Sequence, residues 1–360
     1  MNVVFFIPSL KNKGGVERAT ISLLNSIVDY ENVNVFLVVL NKNEQTDSFE
    51  ISPKVKMMSL DIKNYKTQYF TLIKNLKNFI KIKEIDVFVS VESMSLLFSY
   101  LPIFSLKKRP KFVVWEHFNF KNNNGKKLRD YFRKIAARKA ELIVTLTERD
   151  VAMWNQNLKP KSHVTYIYNI SPFQDHIARY DETSRTAITI GRYVPVKGFD
   201  RLIKAWSIFD KKYNVQDWKL NIVGYGEEKE KLQQQIESEN CKSIFLIDGS
   251  KSVADQYQQA SFYCMSSYFE GLPMVLIEAQ NFGLPSIAFD IYSGPSEILG
   301  CGSGILIEDA NLESYADGIY DLVTKEELRI KMSGIAIQNK SRFDGKTIAE
   351  NWIKNFQKLL

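Results

Sequence analysis

Short apolar runs separated by amphipathic stretches fill this chain, and that alternation is what most limits how it can fold. Residues 3–7 form one such run. After a turn at Lys13, Gly14 and Gly15, the side chains Val16, Ala19, Leu23, Leu24, Ile27 and Val28 recur at the spacing of a helix with one buried face. Further strand-like runs lie at 33–40, 86–90, 112–115, 142–145 and 164–168. A helical pattern between them is carried by Tyr69, Phe70, Ile73, Leu76, Phe79 and Ile80. Strands that alternate with helices build a parallel sheet covered on both faces.

Residues 169–185 break the pattern: the stretch is polar, contains Pro172 and has no clean period. The same grammar then restarts, with strands expected at 187–190, 220–223, 244–247, 262–265 and 286–289 and helices at 199–209 and 227–236. The chain therefore reads as two doubly wound α/β domains, and 360 residues are too many for one core. A last helical stretch, 347–360, carries Trp352, Ile353 and Phe356 and needs an apolar surface to cover. Open sheets of this kind bind ligands at the carboxyl ends of their strands, so chemistry is expected in a cleft between the two domains.

Charge is unevenly placed. Residues 1–168 hold 27 Lys and Arg against 15 Asp and Glu, a balance of +12, whereas 169–360 hold 21 against 26, a balance of −5. The first half is thus suited to an anionic partner or is merely lysine-rich and solvated. The amino terminus is apolar without a basic leader or a small-residue cleavage site, so no signal peptide is expected. The apolar stretch 94–106 is too short to span a bilayer, which needs about 20 residues. Cys241, Cys264 and Cys301 form no spaced cluster, so neither a disulfide framework nor a metal site is expected, and Cys264 reads as a small buried hydrophobe.

The most specific motif is Glu270-Gly271-Leu272-Pro273-Met274-Val275-Leu276-Ile277-Glu278. Pro273 suits a first helical turn, and Gly283 followed by Pro285 suits the end, which predicts a helix over 273–282. Glu270 then lies in the preceding loop and Glu278 on the helix. About 7.5 Å of helical rise separates Pro273 from Glu278, which fits two carboxylates gripping different hydroxyls of one extended ligand better than an acid/base pair. Amide groups at the helix start could meet a phosphate.

Gly191-Arg192-Tyr193-Val194-Pro195-Val196-Lys197-Gly198 follows a predicted strand and precedes a helix. There Arg192 as a fork and Lys197 as a point charge are placed to neutralise a diphosphate. Gly14 and Gly15 follow the first strand of the other domain and permit a tight turn and close approach of a ligand. His117, one of three histidines, ends the strand 112–115. Gly224-Tyr225-Gly226 is an incomplete dinucleotide fingerprint and reads as a strand-to-helix turn bordering the site. No Asp-x-Asp, HExxH, P-loop or GxSxG occurs, which weakens metal-dependent transfer of the Asp-x-Asp kind and serine hydrolysis.

In these features the sequence resembles the family-4 retaining glycosyltransferases of bacterial surface-polysaccharide synthesis, over almost its whole length. The matching segments are 14–18 (Gly-Gly-Val-Glu-Arg), 167–169, 191–198, 270–278 and 294–298 (Gly-Pro-Ser-Glu-Ile), in the family's order. The resemblance implies a GT-B fold of two facing Rossmann-like domains. Residues 1–169 would form the acceptor side and 170–344 the nucleotide-sugar side, with a terminal helix over 345–360 crossing back onto the first. It implies that Arg192 and Lys197 bind the donor diphosphate, that Glu270 contacts the transferred sugar and Glu278 the ribose, and that main-chain groups at Gly271 and Leu272 position the donor. Gly14 and Gly15 would lie near its phosphates, and His117 beside the sugar. It further implies front-face substitution without a cofactor or a metal, using a hexose or N-acetylhexosamine donor. A UDP-sugar is preferred, and GDP-mannose stays open.

Other readings keep some claim. A GT-B epimerase or phosphorylase would bind a similar sugar nucleotide or sugar phosphate. A nucleic-acid-binding protein would use the basic half, but the paired glutamates speak against it, and no nucleic-acid partner is expected. Between residues 104 and 139, twelve cations (Lys107, Lys108, Arg109, Lys111, Lys121, Lys126, Lys127, Arg129, Arg133, Lys134, Arg138 and Lys139) interleave with apolar side chains. This predicts a cytoplasmic protein held peripherally on the anionic inner face of the cell membrane, beside a lipid-linked saccharide acceptor.

Overall fold

The computed structural model describes all residues except 12–13, 43–49, 124, 174–175, 179 and 250–251, so Lys13 of the expected turn and three positions of the polar break lie outside the described residues. The chain divides into two units, Met1–Ile170 with Asp344–Leu360, and Ser171–Phe343.

The first unit holds a seven-stranded parallel sheet. In chain order its elements are β1 (Asn2–Phe6), α1 (Gly15–Ile27), β2 (Asn34–Val39), β3 (Lys56–Ser59), α2 (Tyr69–Ile82), β4 (Val87–Val91), α3 (Leu96–Phe104), β5 (Lys111–Trp115), α4 (Lys127–Lys139), β6 (Leu142–Thr145), α5 (Glu148–Leu158) and β7 (His163–Tyr166). The strand order is β3-β2-β1-β4-β5-β6-β7, so the winding reverses between β1 and β4. Alternate side chains serve opposite faces. Val4, Phe6, Phe88, Phe112 and Val114 pack with Leu72, Leu76, Phe79, Phe132 and Trp154 on one face. On the other, Phe5 meets Trp352 and Phe356 at ring distances of 5.9 and 6.3 Å, and Trp115 meets Trp352 at 5.1 Å. Trp352 and Phe356 belong to the terminal helix (Gly345–Leu359), which Asp344 caps by accepting from the Thr347 amide at 2.8 Å.

The second unit contains β8 (Thr186–Ile190), α6 (Phe199–Tyr213), β9 (Lys219–Gly224), α7 (Lys229–Ser238), β10 (Ile244–Asp248), α8 (Val253–Gln258), β11 (Phe262–Met265), α9 (Met274–Asn281), β12 (Ser286–Asp290), α10 (Pro295–Leu299), β13 (Gly304–Glu308), α11 (Leu312–Thr324) and α12 (Glu326–Asn339); the terminal helix is therefore α13. Its six parallel strands run β10-β9-β8-β11-β12-β13, with the reversal between β8 and β11. The buried Tyr315 hydroxyl lies 3.1 Å from the carbonyl oxygens of both Met265 and Ile287, tying α11 to β11 and β12.

Two strands are absent from the sequence reading, β3 and β13, and both lie at an outer edge of their sheet. Edge strands bury less, so their apolar signal is weaker. The apolar stretch 94–106 forms α3, which buries Leu96, Phe98 and Ile103. Among the described residues no helix is long and apolar enough to cross a membrane.

Candidate active site

At the carboxyl edge of the second sheet, the loops after β8 and β11 are knitted together at the reversal point. Tyr193 is buried in the first loop, its hydroxyl 2.8 and 3.0 Å from the carbonyl oxygens of Ile222 and Ile247. Ser266 Oγ donates to the Lys197 carbonyl at 3.1 Å, and the Tyr268 amide donates to the Val196 carbonyl at 2.9 Å. Gly198 makes that approach possible. Its φ is +63°, and a Cβ there would sit 2.0 Å from the Ser266 carbonyl oxygen. Gly224 plays a similar part under the same loop, since its Cβ would sit 1.9 Å from the Gly191 carbonyl oxygen.

Beneath the loops lies Arg201, which the sequence reading did not single out. It donates to the carbonyl oxygens of Ser266 and Ser267 and to Asp309 Oδ1, and its guanidinium lies 4.2 and 4.1 Å from the rings of Tyr268 and Phe289. The available signal was a charged residue inside the buried stripe Phe199, Leu202, Ile203, Trp206. Arginine's rigid fork suits such a multi-carbonyl anchor.

Held this way, Lys197 Nζ lies 2.8 Å from Glu270 Oε1, and Ser267 Oγ donates to the same oxygen at 2.7 Å. Arg192 is exposed at the loop's start, with no carboxylate partner among the described residues. Pro273 caps α9 instead of opening its first turn, and the helix begins at Met274. Leu272 is buried, and the Gly271 carbonyl accepts from Ser293 Oγ at 2.9 Å. Gly294, at φ +104°, brings its backbone against Pro273, where a Cβ would stand 2.3 Å from the proline ring. The 294–298 segment thereby buttresses the start of α9. On α9 itself, Glu278 accepts from the Tyr257 hydroxyl at 2.8 Å; burial, and then Glu278, push that phenol's pKa well up and keep it a donor. The second unit thus presents two cations and two carboxylates on one edge, and Lys197, Glu270 and Glu278 are placed by neighbours that do not depend on a ligand.

The carboxyl edge of the first sheet is built differently. Gly14 has φ −82°, Gly15 opens α1, and neither is left-handed, so the turn does not demand glycine; a Cβ on Gly15 would meet nothing within 4 Å. After β5, Glu116 is buried and lies 3.0 Å from Arg133 Nε, with Ser93 Oγ donating at 2.7 Å and the Phe118 amide at 3.2 Å. Burial opposes the carboxylate, but Arg133, Arg129 and the Ser93 hydrogen bond outweigh it and hold its pKa below the usual value. The His117 ring lies 4.2 Å from that of Trp115, tilted by 47°, and its buried Nε2 has no hydrogen-bond partner among the described residues. Burial depresses the imidazole to about 3, against the pull of Glu116, so the ring is neutral. Asp150, accepting from the Phe120 amide at 2.9 Å, is pushed up to about 6 by burial.

This corrects the reading of 104–139 as one basic surface. Arg129 and Arg133 are interior, and Arg109 is paired through both guanidinium nitrogens with Glu141. The remaining cations are spread from one end of β5 to the other. Lys107, Lys108 and Lys111, with Lys77 and Lys81, line a cavity of about 960 Å³ at the amino ends of the strands. Lys121, Lys126 and Lys127 are exposed beyond the carboxyl end, and Lys134, Arg138 and Lys139 are exposed along α4, which runs back toward the amino ends. None of the residues singled out for donor chemistry lines that cavity.

Residues 13–170 match the family described as Glycosyltransferase Family 4, and residues 172–339 match Glycosyl transferases group 1. An uncharacterised glycosyltransferase of Haemophilus influenzae is 30% identical over 354 residues, covering 97% of this chain and 98% of the relative. The amylovoran biosynthesis glycosyltransferase of Erwinia amylovora is 29% identical over 362 residues, with 97% and 98% covered. An α-1,4-N-acetyl-D-galactosaminyltransferase of Campylobacter jejuni, whose acceptor is an undecaprenol-diphosphate-linked glycan, is 25% identical over 367 residues, with 98% of each covered. Among solved structures, TarM superposes with a TM-score of 0.81 at 17% identity, over 99% of this chain and 98% of its own; that likeness shows the fold, which is GT-B.

Proposed function

Because this chain belongs to the family-4 glycosyltransferases, we infer that it moves a hexose or N-acetylhexosamine from a nucleotide diphosphate sugar to a saccharide acceptor with retention of configuration. The observation that carries this reading is the Lys197–Glu270 pair, fixed at the reversal point of the second sheet beside Arg192 and the start of α9. Arg192 and Lys197 take the diphosphate. Glu270 holds hydroxyls of the transferred sugar, Glu278 the ribose, and the main chain at Gly271 and Leu272 lines the donor. In the first unit, Gly14 and Gly15 take a place near the phosphates, Gly15 with open space where a Cβ would stand, and His117, neutral and 7% exposed, lies toward the sugar.

In the reaction, the acceptor oxygen bonds the anomeric carbon on the face from which the diphosphate leaves. The bond from that carbon to the β-phosphate oxygen breaks, and the acceptor proton passes to the departing oxygen. No protein base is then needed. Lys197 and Arg192 stabilise the charge that develops on the leaving group, in place of a metal. The resemblance to surface-polysaccharide enzymes favours UDP, and the Campylobacter relative's acceptor favours a lipid-linked saccharide. A panel of UDP- and GDP-sugars, assayed in EDTA for slow donor hydrolysis, should show turnover of a UDP-hexose or UDP-N-acetylhexosamine. Turnover that needs added Mg²⁺ or Mn²⁺, or a GDP-sugar alone, overturns the metal-free or the UDP part.

Peripheral attachment to an anionic leaflet is assigned to α4. Lys127, Leu128, Tyr131, Lys134 and Arg138 recur along one exposed face, with Leu128 and Tyr131 among the exposed large apolar residues, while Phe132, Ala136 and Ala137 face inward. Each lysine near such a surface contributes about 1 kcal/mol. Co-sedimentation with vesicles containing phosphatidylglycerol should fall in Lys127→Glu with Lys134→Glu, and fall at high salt. Unchanged binding in that variant removes the assignment.

A further inference from the structure

We propose that Glu92 and Arg129 form a hydroxyl-gripping pair at the carboxyl edge of the first sheet, and that its ligand is a sugar ring of the acceptor. The proposal rests on the functional reading above and adds the residues that would recognise the acceptor. Glu92 directly follows β4, the strand beside β1 at which the winding reverses. There an open α/β sheet binds its ligand.

The backbone at Glu92 has φ +65° and ψ 148°, a conformation that a residue with a side chain rarely adopts. The amide still reaches the Trp115 carbonyl at 2.8 Å, so the strand pairing continues while the residue is turned out of the regular path. Strain of this kind, held in place by its surroundings, collects at ligand sites.

Arg129 gives the second observation. Its side chain is only 2% exposed, and its guanidinium lies 3.6 Å from the Phe118 ring centre. One nitrogen, Nη2, is 3.4 Å from Glu92 Oε2, whereas Nε and Nη1 are buried without a hydrogen-bond partner among the described residues. Buried polar groups are nearly always satisfied, so two idle nitrogens, carrying three N–H donors, on a buried guanidinium call for an explanation. The neighbouring pair shows the contrast: Arg133 reaches Glu116 and the carbonyl oxygens of Phe118, Asn119, Phe120 and Asn122. The folding core has no need of donors left idle on Arg129.

The surrounding charges choose the ligand. Glu116 and Glu17 lie close enough to Glu92 to raise its pKa, while Arg129 and Lys126 lower it. With Glu116 paired to Arg133, Glu92 and Glu17 face Arg129 and Lys126, a balanced set that offers a phosphate no net attraction but suits a neutral polyol, whose hydroxyls can both donate to Glu92 and accept from Arg129. Burial is the main cause that pushes the Glu92 carboxyl up to about 7, so its ionised, strongly accepting form grows through neutral pH.

The probes are methyl α-D-glucopyranoside and methyl N-acetyl-α-D-galactosaminide, followed by saturation-transfer NMR on the full chain, with Glu92→Gln as the variant. At least one glycoside should receive saturation from the wild type, more strongly at pH 8 than at pH 6. Glu92→Gln should weaken that signal about tenfold and remove its pH dependence. The same variant should melt higher than the wild type at pH 8, because the carboxyl is held against its preferred charge state; a purely structural role gives a lower melting point instead. No transfer to either glycoside, equal transfer to wild type and variant, or displacement by inorganic phosphate overturns the proposal. UDP binding, measured alongside, reports on the donor reading alone, so loss of one reading is told apart from loss of the other.

Discussion

The carboxyl edges of the two sheets hold charge in different ways. In the second unit Lys197 and Glu270 keep 23% and 16% of their side-chain surface, and their geometry is fixed by loops stitched with carbonyl and hydroxyl contacts. In the first, Arg133 and Glu116 keep 2% and 1%, and each fixes the other. A partly solvated pair can be broken at little cost to folding, whereas a buried pair cannot, because the survivor is left as an uncompensated charge. The second edge is therefore free to exchange its internal partners for a ligand's. The first is a scaffold of ions on which the idle donors of Arg129 and the neutral His117 are mounted.

The comparison is broken most forcefully by removing one cation from each edge. Arg133→Met should destabilise the protein by about 3–5 kcal/mol by stranding Glu116, read as a large fall in denaturation midpoint. Lys197→Ala should leave the midpoint almost unchanged but reduce turnover by about 10²–10³. If Lys197→Ala unfolds the chain as readily as Arg133→Met, the distinction between scaffold and exchangeable pair is lost.

A smaller effect sharpens the same contrast. The carboxyl of Asp150 is raised by burial from its ordinary value of 3.8 to about 6. A raised acid contributes stability that is fully present below its unfolded pKa and is lost as pH rises through the folded one. Asp150→Asn should therefore flatten a decline in stability between pH 4 and 6, bounded at about 3 kcal/mol for a shift of this size. His117, depressed by burial, acts in the opposite sense, its contribution fading as pH falls below about 6.5. Melting curves across pH 4–8 that are identical for Asp150→Asn and wild type would argue against a buried, strained carboxyl.

How much was legible in the sequence follows from how each site is assembled. The strands of both sheets could be read because doubly covered parallel strands are continuous apolar runs; β3 and β13 escaped because an edge strand needs less of that pattern. The residues proposed for the donor stood out as candidates because two contiguous loops carry them, and because the glycines at 191, 198 and 271 punctuate those loops. Tyr193 and Arg201 were missed since their roles are contacts made across the fold, and Ser267 because a lone loop serine three residues before Glu270 carries no spacing signal of its own. In the first unit the network joins residues 92, 116 and 150 to the helical pair 129 and 133, segments that no local spacing connects to one another. Arg129 and Arg133 were counted with a basic surface because charge was summed along the chain. Their spacing from the buried Phe132, Ala136 and Ala137 on α4 already placed them on the inward face.

The most direct test of the account concerns the division of labour between Glu270 and Glu278. UDP is titrated calorimetrically, in EDTA, into the wild type, Glu270→Gln and Glu278→Gln, and transfer or donor hydrolysis is measured on the same preparations. Loss of a charged hydrogen bond is worth about 1.5–3 kcal/mol. Glu278→Gln should therefore bind UDP roughly tenfold to a hundredfold more weakly. Glu270→Gln should bind it as the wild type does while losing turnover by a similar factor. Equal loss of UDP affinity in both variants, or full turnover in Glu270→Gln, would contradict the assignment of one carboxylate to the sugar and the other to the nucleoside.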